Sequence, residues 1–290
     1  MEVLYRIGGG EWTHVALEAA ETSISALEMG KILYLPELRF SMSEAEKRFL
    51  SPAFLDPKAK NISFDPCTGT IQATSARGAD REQLLAMIRR FSDQAGVLVR
   101  ALCPGYRGSL VQGLTSFRPA EIAGRASTWR KDDTRLHVDA FPSRPNHGRR
   151  ILRLFSNVNA SEPRVWRAGE PFGNAARTLL PGIKPPFPGS GWLLGALKIT
   201  KGRRSLYDHY MLGLHDAMKA DLGYQKDAPQ TEISFAPGST WICFTDCVSH
   251  AAMSGQYLFE QTFYLPVDAM ENPSLAPLRV LEKQLAKVLI

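Results

Sequence analysis

The stretch Arg135-Leu136-His137-Val138-Asp139-Ala140-Phe141 alternates titratable and apolar side chains. Residues two apart in an extended strand share a face, so the spacing predicts that His137 and Asp139 project together. A second stretch, Pro237-Gly238-Ser239-Thr240-Trp241-Ile242-Cys243-Phe244-Thr245-Asp246-Cys247-Val248-Ser249-His250, reads as a turn, a strand and then another histidine. Two imidazoles and one carboxylate on neighbouring strands match the facial triad of non-heme Fe(II) oxygenases. There, three protein ligands hold the metal and leave positions for co-substrate and O2. HxD alone is common. HxD followed at a barrel-length interval by Pro-Gly, strand and His predicts a fold that brings distant strands together, with His137, Asp139 and His250 as catalytic metal ligands.

Outward from these stretches, turn residues at Arg118-Pro119, Asp132-Asp133 and Pro142 to Gly148 divide residues 111 to 158 into short strand-like segments. Further strands are expected near Glu232, at Ser239 to Phe244 and at Tyr257 to Leu265. Helical patterns occupy Val15 to Met29, Asp80 to Leu102, Ser205 to Leu222 and Leu278 to Ile290, and Ser43 with Glu46 forms a capping-box pattern. The expected organisation is one oxygenase domain over 1–290. It comprises a mainly helical part at 1–105, a β core at 106–267 with a helical insertion at about 170–225, and a closing helix at 275–290. Many short strands without strand-helix alternation favour an antiparallel sandwich or barrel, a mainly β fold with flanking helices.

The 290 residues are 44% hydrophobic and 22% charged, an ordinary globular composition. No apolar run approaches a membrane span, and the N-terminus lacks the basic start and apolar core of a secretory signal, so a cytoplasmic protein is expected. Four cysteines do not make a disulfide scaffold. Cys243, Cys247 and His250 allow a zinc reading but lack a second ligand pair. The charge is local: residues 118 to 177 carry twelve basic against six acidic side chains, +6, which is the net charge of the whole chain. Such a field favours an anionic ligand, and a solvated basic face is its plain alternative.

Enzymes that use 2-oxoglutarate commonly bind its far carboxylate with an Arg or Lys about ten residues beyond the distal histidine. Gln261 stands there instead, and no Lys or Arg occurs between Ala251 and Leu278. The cation must therefore come from another strand. Arg153, mid-strand in Ile151 to Asn157, is the first candidate, because a guanidinium on an apolar face is costly unless an anion meets it. Arg125 is the second, with Arg118 behind it. Arg118, together with Arg144, Arg149 and Arg150 in and beside the loop after Asp139, is also a candidate for an anionic substrate.

The run His137-Val138-Asp139-Ala140-Phe141-Pro142-Ser143-Arg144-Pro145, followed by His147-Gly148-Arg149-Arg150-Ile151-Leu152-Arg153 and Phe155-Ser156-Asn157-Val158-Asn159, resembles the Kdo hydroxylases. These oxidise 3-deoxy-D-manno-oct-2-ulosonic acid in the inner core of lipopolysaccharide. The resemblance implies a double-stranded β-helix (jelly-roll or cupin-like) core, Fe(II) with 2-oxoglutarate and O2 as co-substrates, and hydroxylation of Kdo-lipid A at C3. The family's metal triad maps onto His137, Asp139 and His250, and its co-substrate residues onto Arg153 and Gln261. A lipid-linked acceptor would bring the protein to the cytoplasmic face of a membrane, and the stripe of Leu278, Leu281, Leu285, Val288 and Leu289 fits an interfacial helix as well as it fits core or subunit packing. Two other functions remain open at this point: a non-catalytic barrel binding an anionic sugar or a metal, and a 2-oxoglutarate-dependent nucleic-acid dealkylase. The dealkylase would typically carry arginines after the distal histidine, which this chain lacks before Arg279, so no nucleic-acid partner is expected.

Overall fold

A computed structural model of the chain describes residues 3–124 and 127–290. The N-terminal third alternates strands and helices: β1 (Leu4–Arg6), α1 (Leu17–Glu28), β2 (Ile32–Leu35), α2 (Glu44–Lys47), β3 (Ile62–Asp65), β4 (Thr70–Gln72) and α3 (Gly78–Leu102). This part is therefore less helical than its composition suggests, since four short strands join the sheet. The Ser43–Glu46 capping box forms as the sequence predicts. Along α3, Leu84, Met87, Ile88, Phe91, Ala95, Leu98 and Leu102 recur at three- and four-residue spacing and are buried, which docks one face of the helix on the core.

The remaining elements are β5 (Val111–Arg118), β6 (Arg150–Asn157), β7 (Arg164–Pro171), α4 (Phe172–Leu179), α5 (Ser190–Ala196), α6 (Leu206–Ala220), α7 (Leu222–Asp227), β8 (Gln230–Phe235), β9 (Thr240–Phe244), β10 (Val248–Ser254), β11 (Leu258–Leu265) and α8 (Pro277–Leu285). Eight strands form a large sheet in the order β1-β2-β9-β6-β11-β5-β3-β4, and three form a small one, β10-β7-β8. Among the described residues only the β1–β2 pair is parallel. Elements α4 to α7 make up the helical insertion between β7 and β8.

Register decides what faces the interior. Arg153 lies opposite Thr262 on β11 and Cys243 on β9, and Phe155 lies opposite Glu260 and Trp241. Directly opposed residues share a face. Phe155, Trp166, Phe235 and Trp241 meet there with ring centroids 3.9 to 5.5 Å apart, joining the two sheets through one aromatic cluster. On the other face of the large sheet, Phe259 stacks between Phe91 of α3 and Phe117 of β5, each at 4.6 Å.

Two expected elements differ. The HxD stretch forms an isolated bridge rather than a regular strand. His137 exchanges both backbone bonds with His250 (3.0 and 2.9 Å), and the Asp139 N–H then turns to Thr245 O at 2.8 Å. The chain thus leaves β10 for the β9–β10 turn within two residues. The closing helix stops at Leu285, because Ala286 adopts a left-handed conformation (φ 50°) that reverses the chain and returns Leu289 to the core. Leu278, Leu281 and Leu289 are buried, so most of the apolar stripe packs against the protein itself.

Candidate metal centre

His137, Asp139 and His250 come together at the mouth between the sheets, with one ligand atom from each within 4.8 Å of the others. Among the described residues this is the only such group of three or more His, Cys, Asp or Glu side chains. His137 Nδ1 lies 2.8 Å from Arg135 O, and His250 Nδ1 lies 2.8 Å from Val248 O. A carbonyl oxygen only accepts, so each Nδ1 carries the proton and each Nε2 keeps a free lone pair, the tautomer that a metal-binding imidazole needs. Trp166 stacks on the His250 ring at 5.1 Å and holds its plane.

The charges also fit a cation. Burial, reinforced by His250 and Lys219, keeps the His137 pKa well below its ordinary 6.5, and burial lowers His250. Both imidazoles are neutral near pH 7. Burial alone would raise the Asp139 carboxyl, but the Arg153 guanidinium beside it holds the group ionised. Among the described residues, two buried polar atoms here find no hydrogen-bond partner, Asp139 Oδ2 and Arg153 Nε. A carboxylate oxygen met only by an ion-paired guanidinium, and a guanidinium Nε that makes no hydrogen bond, beside two free imidazole nitrogens, suit a divalent cation with an anionic co-ligand.

A family model described as 3-deoxy-D-manno-oct-2-ulosonic acid (Kdo) hydroxylase matches residues 11–288. The chain belongs to the Kdo hydroxylase family. Among solved structures it is similar to the Kdo hydroxylase KdoO, a non-heme Fe(II) α-ketoglutarate-dependent dioxygenase. The complex with α-ketoglutarate and Fe(III) shares 46% identity and a TM-score of 0.95 over 99% of this chain and 97% of that one. The cobalt(II) complex shares 47% identity over the same proportions, with a TM-score of 0.97. The complex with succinate and Fe(III) gives 46% and 0.95, again over 99% and 97%. No match was found among curated protein sequences.

In this Kdo hydroxylase family member, Arg153 sits at the triad as the sequence suggests. It lies 3.2 Å from Asp139 Oδ2 and 3.1 Å from Glu260 Oε1. Arg118 Nη2 meets the other Glu260 oxygen at 2.9 Å. An ordered row of charge therefore runs Arg118, Glu260, Arg153, Asp139 along the inner face of the large sheet.

Gln261 does not join it. Arg153 lies opposite Thr262, so Gln261, one residue away, projects from the other face toward α3. Its Oε1 accepts from Ser92 Oγ (3.1 Å) and Thr115 Oγ1 (2.5 Å), and its Nε2 donates to the carbonyls of Gly113 and Thr262. A saturated amide in the core has no capacity for a co-substrate carboxylate, and the expectation of an Arg153–Gln261 pair is withdrawn. Gln261→Ala will lower stability by about 1–3 kcal/mol, the cost of stranding buried partners, and leave the KM for 2-oxoglutarate unchanged; urea unfolding and steady-state kinetics check both.

Arg150 is also misread from sequence. It is fully buried in a two-pronged pair with Asp246 (2.8 and 3.2 Å), its guanidinium 3.9 Å from the Phe244 ring centroid. It cannot meet a substrate. Arg149 is half-buried, bonded to Asn146 O and lying over Tyr264, whereas Arg144 is exposed. Arg125 lies outside the described residues. More broadly, the basic 118–177 stretch is not a free positive face, because Arg118, Arg130, Arg135, Arg150 and Arg153 each pair with a carboxylate. The zinc alternative through the cysteines has no geometry: Cys243 and Cys247 are buried, and burial pushes the Cys247 thiol up to about 12.

Three residues at the site were not singled out by sequence. Glu260 bridges the two arginines; alternation on β11 places it on the opposite face from Gln261, a signal that was available. His215 stands edge-on to His137 at 5.4 Å, and Lys219, one helical turn further along α6, reaches within 3.9 Å of Asp133. Their i, i+4 spacing on the insertion helix marks one face, but nothing local says that this face covers the triad.

Proposed function

We propose that this chain hydroxylates the Kdo sugar of Kdo-lipid A at C3, consuming 2-oxoglutarate and O2 and releasing succinate and CO2. The whole chain acts as one oxygenase domain whose two facing sheets form a double-stranded β-helix. His137, Asp139 and His250 hold Fe(II), and the bound metal with its co-substrates supplies the oxidation of an unactivated C–H bond. The observation that carries this reading is the neutral histidine pair with both Nε2 atoms free, beside an ionised Asp139 and the unpartnered Arg153 Nε. Kinship with a dioxygenase whose solved complexes contain α-ketoglutarate and succinate supports the same assignment.

The protein's own contributions are specific. Arg135 O and Val248 O fix the imidazole tautomers, and Trp166 fixes the His250 plane. Arg153 receives the distal carboxylate of 2-oxoglutarate, and Arg118 shares the Glu260 carboxylate with it. His215 and Lys219 on α6 cover the opening, where Lys219 offers a positive charge to the sugar carboxylate, and Arg144 and Arg149 border the loop beyond Asp139. The acceptor is met at the cytoplasmic face of the membrane.

Incubation with Kdo-lipid A, Fe(II) and 2-oxoglutarate should add one oxygen to the lipid and form one succinate per turnover, read by mass spectrometry. Binding without succinate would instead favour a non-catalytic barrel. Arg153→Ala should raise the KM for 2-oxoglutarate by about 10- to 150-fold, the worth of a charge-assisted bond at a buried site, with a much smaller effect on the KM for the lipid. An unchanged KM would move the role to Arg118.

A further inference from the structure

Between Glu170 and Asp208 the chain carries six basic residues (Arg177, Lys184, Lys198, Lys201, Arg203, Arg204) and no Asp or Glu. In the fold, the 184–204 part of this segment forms a lobe around α5 that turns its large apolar side chains outward. Phe187 is 87% exposed, Trp192 66% and Ile199 58%, and Leu193 and Leu197 are exposed with them. Val288 and Ile290 of the C-terminus are likewise exposed, and together with Phe187 and Trp192 they line a cavity of about 640 Å³. Lys184, Lys198, Lys201 and Arg203 are exposed around these residues, and none is in an ion pair among the described residues. A contiguous apolar surface of this kind marks an interaction site.

We infer that the 184–204 lobe docks on the surface of an anionic lipid bilayer. Aromatic and aliphatic side chains within a ring of unpaired cations suit an interface that is apolar at depth and negatively charged at its surface. A second copy of this chain fits less well. A two-fold contact through the lobe would set its basic ring against its own image with no carboxylate to answer it.

The lobe is wired to the metal site. Lys201 N–H donates to Ser143 O (2.8 Å), and the Arg204 guanidinium donates to Pro142 O (2.6 Å), four and three residues beyond Asp139. Docking there places the HxD loop beside the bilayer. This rests on, and deepens, the reading of the acceptor as a lipid-linked sugar, since it sets the site at the depth where such a sugar stands.

The test is flotation of the full-length protein with phosphatidylcholine vesicles, with and without phosphatidylglycerol. The expected result is binding to the anionic vesicles at low salt, reduced at high salt, and little binding to phosphatidylcholine alone. Lys198→Glu/Lys201→Glu/Arg203→Glu should lower the partition coefficient by at least about 100-fold, equivalent to about 3 kcal/mol. Phe187→Ser/Trp192→Ser should weaken binding at all salt concentrations. Both variants should keep the parent's Co(II) affinity and its turnover of a water-soluble Kdo glycoside, which shows that they are folded. Failure of the parent protein to float, equal binding to both vesicle types, or a solution dimer dispersed by Trp192→Ser would each overturn the inference. Vesicle binding without oxidation of the soluble glycoside would leave the docking surface standing and refute the hydroxylase reading. Oxidation without vesicle binding would do the reverse.

Discussion

Asp139→Ala and His250→Ala will each reduce turnover to background and lower Co(II) or Fe(II) affinity by more than about 100-fold. Outer partners of metal ligands are already worth about 10- to 100-fold, so removal of a ligand itself exceeds that range. Asp139 should matter doubly, because it is the only anion among the three ligands and balances Arg153 at 3.2 Å. The same centre sets a pH dependence for the metal-free protein. Both buried imidazoles titrate below their ordinary 6.5, so below that pH the unfolded chain binds more protons than the folded one. Stability is therefore complete above 6.5 and declines as pH falls toward the lowered folded values. Asp139 acts in the same direction further down, since its carboxyl is held below 3.8 in the fold. The urea midpoint should fall between about pH 7 and pH 5, and less so in His137→Ala; a midpoint that rises over that interval would contradict the neutral assignment.

Arg150→Ala will destabilise the protein by about 3–5 kcal/mol, the usual cost of removing one member of a buried ion pair and stranding the other charge. Asp246 is fully buried with Arg150, and burial already pushes its carboxyl above the ordinary value despite the guanidinium. Without Arg150 that carboxyl has to take up a proton or draw in water. Urea unfolding reads the loss directly. Arg150→Met with Asp246→Leu, which removes both charges at similar volume, should recover most of it. If Arg150→Ala unfolds like the parent and changes only the KM for the lipid, the residue belongs to the substrate site after all. Arg149 and Arg144, which keep contact with solvent, are the residues of this loop that can be exchanged without unfolding the chain.

The contrast between Arg153 and Arg150 shows how far local pattern carries. Both lie on one strand, three residues apart, in a run that reads as apolar with interspersed cations. Which guanidinium meets the metal site and which is locked in the core depends on what β9 and the β9–β10 turn place opposite each. Cys243 stands opposite Arg153, while Asp246 in the turn reaches Arg150. Gln261 shows the same limit from the other side. Its alternation with Phe259 and Phe263 is correct as a strand pattern, but only pairing with β6 reveals that this face is the one packed on α3.

The sequence by itself determined the strand and helix periodicities, the α2 capping box, the β-rich class and the three metal-ligand candidates. These rest on spacing along the chain, and spacing is a local property. The tertiary structure alone decided which face of each strand looks inward, that His215 and Lys219 from a distant helix cover the triad, and that four arginines of the basic stretch (Arg118, Arg130, Arg150 and Arg153) pair with carboxylates far along the chain. It also decided that exposed cations in no ion pair among the described residues gather around the apolar side chains of the 184–204 lobe. The physical reason is that burial and Coulomb pairing depend on distance in space, and a register shift of one residue reverses every side chain of a strand without altering its sequence.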